Sequence, residues 1–115
     1  MIVEDNPDMR RLLQSIVKKV GDSIFECADG AEALATYREN LPDWVLMDVE
    51  MREKDGLTAT REIRSFFPQA RVVIVTDHGD QPTRDAATAA GAYAFVTKTD
   101  LSKLRGIVRP ELVGE

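Results

Sequence analysis

The stretch that decides the fold is Trp44-Val45-Leu46-Met47-Asp48, an apolar run that stops on a carboxylate. A continuous run of large apolar residues marks a strand buried on both faces, as in a parallel sheet with helices on either side. Open α/β sheets place their chemistry just beyond the carboxyl ends of such strands. Asp48 therefore stands where a reactive group belongs.

Upstream of this run, Asp29 and Glu32 form a capping arrangement for a helix from about Gly30 to Glu39, ended by Asn40 and Pro42. Ser23 to Ala28 form a strand nearer an edge, because polar residues interrupt it. Met9, Leu12, Leu13, Ile16, Val17 and Val20 follow helical spacing, with Asn6 as cap, Pro7 in the first turn and Gly21 as stop. Met1-Ile2-Val3 is a strand that ends on Glu4-Asp5. It is short for a central strand, as though residues preceded Met1.

Downstream, Val49 to Asp55 is a charged loop closed by Gly56. Leu57, Ile63, Phe66 and Phe67 belong to a helix stopped by Pro68. Arg71 to Thr76 is a β-branched strand finishing on a polar group. A polar loop, Asp77 to Gln81, leads to a helix opened by Pro82 and closed by Gly91. Its packing face, Ala86 to Ala90, is all small side chains, which bury little area and hold a helix weakly. Tyr93 to Lys98 is a fifth strand. Leu101, Leu104, Ile107 and Val108 form a last helix, broken by Pro110 before a loose tail. Five strands alternating with five helices predict a doubly wound parallel sheet with right-handed crossovers. Spacing alone leaves the strand order open.

The 115 residues suit one domain, 1–115, with a short tail over 109–115. Hydrophobic content of 43% and charged content of 30% are ordinary for a globular chain. A net charge of −5 argues against nonspecific binding to nucleic acid or anionic membranes. The single cysteine, Cys27, forms no internal disulfide and reads as a small buried hydrophobe. No apolar run approaches a membrane span, and Glu4-Asp5 follow Met1 too soon for a signal peptide. A cytoplasmic location is expected.

Four strands end on functional groups: Glu4-Asp5, Asp48, Thr76 and Lys98. In a parallel sheet these ends share one edge, so the groups gather in one cleft. Three carboxylates held together repel unless a cation joins them. Magnesium suits such a set, with water and a substrate phosphate in its remaining positions. Lys98 then supplies a compact charge and Thr76 a hydroxyl to phosphoryl oxygens. Asp48 is either a further metal ligand or the nucleophile that takes up phosphate as an acyl phosphate.

In this arrangement the chain resembles a two-component response regulator receiver domain. The resemblance rests on Ile2-Val3-Glu4-Asp5-Asn6, on Val45-Leu46-Met47-Asp48 with Asp55-Gly56, on Val73-Ile74-Val75-Thr76, and on Gly91-Ala92 leading to Phe95-Val96-Thr97-Lys98. It implies a flavodoxin-like five-stranded parallel sheet of order 2-1-3-4-5 with five helices. It implies Asp48 as phosphoacceptor, served by a histidine kinase or phosphotransfer protein. Glu4, Asp5, Asp48 and the backbone carbonyl of Glu50 would hold Mg2+. Thr76 and Lys98 would contact the phosphoryl group, and Phe95 would be the aromatic switch. The last two helices and strand five would carry the output and form any homodimer, with no membrane involved. His78 and Thr99 resemble receivers that precede a DNA-binding output domain outside this chain.

The chain departs from the family pattern at Glu4, Arg52, Asp77 and Thr99. Arg52 would loosen the loop after Asp48, and the charge of Asp77 would alter phosphorylation kinetics. Two rival functions follow from the same residues. One is a small phosphatase working through an aspartyl phosphate, for which Glu50 is the only further acid and no insertion forms a lid. The other is a pseudo-receiver that binds partners without taking phosphate. The complete set of acids, hydroxyl and ammonium favours a phosphorylation switch that is not a turnover enzyme.

Overall fold

The computed structural model describes residues 1–18, 23–51 and 53–109. In chain order the elements are β1 (Ile2–Val3), α1 (Pro7–Val17), β2 (Glu26–Cys27), α2 (Ala33–Asn40), β3 (Val45–Met47), α3 (Gly56–Phe66), β4 (Val72–Thr76), α4 (Gln81–Ala89), β5 (Ala94–Thr97) and α5 (Ser102–Val108). The strands form one sheet in the order β2-β1-β3-β4-β5, every neighbouring pair parallel. This is the doubly wound, flavodoxin-like arrangement expected, with β2 at an edge.

Alternation along the strands divides the core in two. Val3, Val45, Met47, Val72 and Ile74 face Ala33, Tyr37, Ala59, Ile63 and Ala87, which come from α2, α3 and α4. Ile2, Leu46, Val73, Val75 and Val96 face Leu13, Leu104 and Val108, from α1 and α5. Burying each large aliphatic side chain is worth about 1.5–3 kcal/mol. The central strands thus have no solvent-facing side, which is why their sequence reads as an unbroken apolar run.

Local signals set the helix starts. Asn6 Oδ1 accepts from the Met9 N–H at 3.0 Å, Asp55 Oδ1 from Thr58 N–H at 2.8 Å, and Asp80 Oδ2 from Thr83 N–H at 3.2 Å. The Asp80 cap starts α4 at Gln81, one residue before the expected Pro82. Helix α2 begins at Ala33 rather than Gly30. Asp29 does accept the Glu32 N–H, at 3.2 Å, but that bond closes a turn ahead of the helix. Helix α2 ends on Leu41, which is left-handed with φ 45° and 58% exposed. Strand β2 is two residues long, not the six of Ser23 to Ala28, and β5 stops at Thr97 rather than Lys98. The expected continuation of the first helix to Val20 and its stop at Gly21 lie outside the described residues, as do Arg52, Pro110 and the tail after it.

At the amino ends of the strands, the Trp44 and Tyr93 rings meet edge to face, with centroids 4.9 Å apart. The Arg71 guanidinium lies 4.3 Å above Trp44. No helix among the described residues is long and apolar enough to cross a membrane.

Candidate functional site

The carboxyl ends of β1, β3, β4 and β5 build one rim. Strand β1 stops at Val3, so Glu4 and Asp5 are the first residues past it. Strand β3 stops at Met47, which pairs with Val3, so Asp48 stands beside Glu4. The Asp48 N–H donates to the Val3 carbonyl at 3.0 Å and fixes that alignment. Strand β4 ends on Thr76, which pairs with Thr97, and the Lys98 N–H donates to the Thr76 carbonyl at 2.7 Å.

One carboxylate oxygen from each of Glu4, Asp5 and Asp48 lies within 4.8 Å of the others. Glu4 and Asp48 are 1% and 5% exposed. Lys98 reaches in from β5: its Nζ is 2.9 Å from Glu4 Oε1 and 3.2 Å from Asp48 Oδ1. Glu4 Oε2 accepts from the Asn6 N–H at 3.2 Å. Glu4 Oε1, although paired in charge with Lys98, is buried with no hydrogen-bond donor aligned on it.

Burial, and then the charge of Glu4, push the Asp48 carboxyl up to about 6, while Lys98 pulls it down. For Lys98, burial works to lower the pKa, but the contacts with Glu4 and Asp48 outweigh it and leave it raised. Three carboxylates against one ammonium leave an excess of negative charge in a confined space. With one oxygen from each of three carboxylates converging and two of the acids buried, this donor set fits a hard divalent cation.

The remaining residues named from sequence stand around this centre. Thr76 is 1% exposed, and its Oγ1 accepts from the His78 N–H at 3.2 Å. Glu50 is exposed in the loop after Asp48 and lines an open groove of about 650 Å³ with Asp5, Met51 and Leu57. Its side chain pairs with His78 instead, Oε1 to Nε2 3.0 Å. Phe95 is half-buried in β5 opposite Ile74, with the Arg84 guanidinium 4.6 Å above its ring. Asp77 and Thr99 are exposed.

A match to the response regulator receiver domain family covers residues 1–109. The chain belongs to this family. It is 38% identical over 99 residues to the chemotaxis protein CheY of Bacillus subtilis, a span of 85% of this chain and 82% of that protein. Among solved structures, it is similar to a LuxR-family two-component response regulator of an Aurantimonas species, at 32% identity and TM-score 0.85, covering 96% of this chain and 84% of that one. It is also similar to the Borrelia burgdorferi CheX–CheY–BeF3–Mg2+ complex, at 30% identity and TM-score 0.85, covering 98% and 87%. As a receiver, the chain is a signalling module of the two-component kind, a family in which magnesium and phosphoaspartate are typical.

Sequence reasoning missed several parts of the receiver's site. Arg10 Nη1 donates to the Glu4 carbonyl at 2.7 Å and Arg10 Nε lies 3.6 Å from Glu26 Oε1, so α1 anchors the turn that carries the acids. Its place one turn after the Asn6 cap is the signal that could have marked it. Gly56 was read as a loop end and part of a motif, but not for its packing: it lies against the Asp48 main chain, where a Cβ would come within 1.8 Å of the Asp48 carbonyl oxygen. The His78–Glu50 pair spans two loops and has no local signature.

Proposed function

We propose that this receiver takes a phosphoryl group on Asp48 from a phosphohistidine of a histidine kinase or phosphotransfer protein. The observation that carries this reading is the meeting of Glu4, Asp5 and Asp48 oxygens within 4.8 Å, with the Lys98 ammonium 3.2 Å from Asp48. The carboxylates of Glu4, Asp5 and Asp48 and the Glu50 carbonyl would hold Mg2+, which supplies neutralisation of phosphoryl oxygens when bound.

The chain's own groups divide the work. An Asp48 oxygen forms the new bond to phosphorus as the bond to the donor's imidazole nitrogen breaks. Lys98, held beside Asp48, meets the charge of the transferred group. Thr76 keeps its hydroxyl proton free to donate, because the His78 N–H occupies an acceptor position. Drawing Thr76 toward Asp48 would let Phe95 move and alter the surface of α4, β5 and α5, a shift between two populations. The chain resets rather than turning over substrate. A cytoplasmic location for this chain, an output domain beyond it, a homodimer through that surface, and a single domain over 1–115 complete the proposal.

The test is labelling with acetyl phosphate in Mg2+, followed by intact mass. The wild-type chain should gain one phosphoryl group and Asp48→Asn none. Persistent labelling of Asp48→Asn would place the acceptor elsewhere.

A further inference from the structure

The loop between β4 and α4 connects Thr76 to Phe95 through contacts made by one side chain. The His78 N–H donates to Thr76 Oγ1 at 3.2 Å. Next in the loop is Gly79, whose carbonyl accepts from Arg84 Nε at 2.9 Å. The same guanidinium lies 4.6 Å from the centre of the Phe95 ring. Gly79 is also pressed on β5: a Cβ there would come within 2.9 Å of Thr97 Cγ2, next to Lys98. Arg84 thus bridges a loop that follows Thr76 and the ring that lies beside it on the next strand.

An exposed arginine has no need of either contact, since its charge is satisfied by water. Here its planar fork is fixed at one edge by a carbonyl and at its face by an aromatic ring, a pairing that lysine cannot reproduce. We propose that Arg84 is a positioning residue for Phe95, a cationic strap that holds the ring in its resting place and ties its release to Thr76. This deepens the phosphoacceptor reading above and rests on it.

The strap acts through two points. When Thr76 turns toward a phosphoryl group, the His78 N–H and the Gly79 carbonyl are displaced with it, and Arg84 loses its fixed edge. The guanidinium then no longer covers the ring. Because the strap favours only the resting arrangement, it lowers the fraction of chains ready to hold a phosphoryl group. Removing it raises that fraction and the apparent affinity for any ligand that selects the switched state.

The test is calorimetric titration of the full chain with beryllofluoride, a phosphoryl mimic, in Mg2+. A cation over a partly exposed ring corresponds to a change of about two- to five-fold in such an equilibrium. Arg84→Ala should therefore bind beryllofluoride about two- to five-fold more tightly, with Arg84→Lys between it and wild type. In a Phe95→Leu background Arg84→Ala should have no effect, which separates a strap on the ring from a general effect on α4. The Phe95 ring resonances of unliganded Arg84→Ala should move toward those of the saturated wild-type chain. Unchanged or weaker binding by Arg84→Ala, or equal tightening in the Phe95→Leu background, would overturn the strap and leave the phosphoacceptor reading standing. If the wild-type chain binds no beryllofluoride, that reading fails and the strap fails with it.

Discussion

Asp48 is held by neighbours above and below, and each can be removed separately. Lys98 is the only ammonium on the acids among the described residues, and its side chain is 11% exposed. Removing one partner of a buried pair leaves the other charge uncompensated, at a cost of about 3–5 kcal/mol. Lys98→Ala should lower urea stability in chelator by about that amount at neutral pH. It should keep its Mg2+ affinity, because the metal-facing acids remain, while losing the response to phosphorylation. Loss of Mg2+ binding in that variant would contradict the role given to Lys98. On the other side, Gly56→Ala puts a methyl group 1.8 Å from the Asp48 carbonyl oxygen, so the backbone itself must move. Overpacking of this kind costs about 1–3 kcal/mol or more, and a urea midpoint equal to wild type would refute it. The acids, Thr76 and Lys98 were legible because each ends an apolar strand. Arg10, Arg84 and the His78–Glu50 pair were not, because their partners lie on other elements and leave no mark on local spacing.

At the level of elements, the helix ends carry the checkable energetics. Leu41 closes α2 in the left-handed region at φ 45°, a conformation that costs a side-chain-bearing residue about 1–2 kcal/mol. Its side chain is 58% exposed and gives back little by packing. Leu41→Gly should raise the stability by about 1 kcal/mol, seen as a higher urea midpoint with an unchanged slope. Helix α5 is tied to the end of α1 by Arg105 Nε on the Ile16 carbonyl at 3.0 Å and Arg109 Nε on the Val17 carbonyl at 3.2 Å. Cations on the last carbonyls of a helix contribute about 0.3–1 kcal/mol each. Arg105→Ala should therefore speed amide exchange in α5 with little effect on β3 or β4, and equal exchange in both chains would refute the tie. The Asn6 cap was readable from sequence. The start of α2 was not, because Asp29 satisfies a turn with the same side-chain bond that a helix would use.

Across the whole molecule, the pH dependence follows from the raised carboxyl of Asp48. A carboxyl raised from 3.8 to about 6 by folding favours the folded chain most below its ordinary range. That contribution is lost as pH rises through about 6, where the folded chain must ionise a buried acid. A divalent cation compensates the ionised form. The Mg2+-induced rise in thermal midpoint should therefore be small near about pH 5 and full by about pH 7.5, and it should be much reduced in Asp48→Asn. A Mg2+ effect independent of pH would contradict this linkage. The sheet order was legible only through the family resemblance, since parallel pairing is decided by long-range contacts that spacing does not encode. A practical corollary concerns Trp44, the chain's one tryptophan. It sits under Arg71 at the opposite end of β3 from Asp48, about 13 Å away at the rise of a strand. Its emission will report on melting of the sheet while staying silent to whatever docks at the acids, so an optical sensor of signalling needs a dye placed on the other rim.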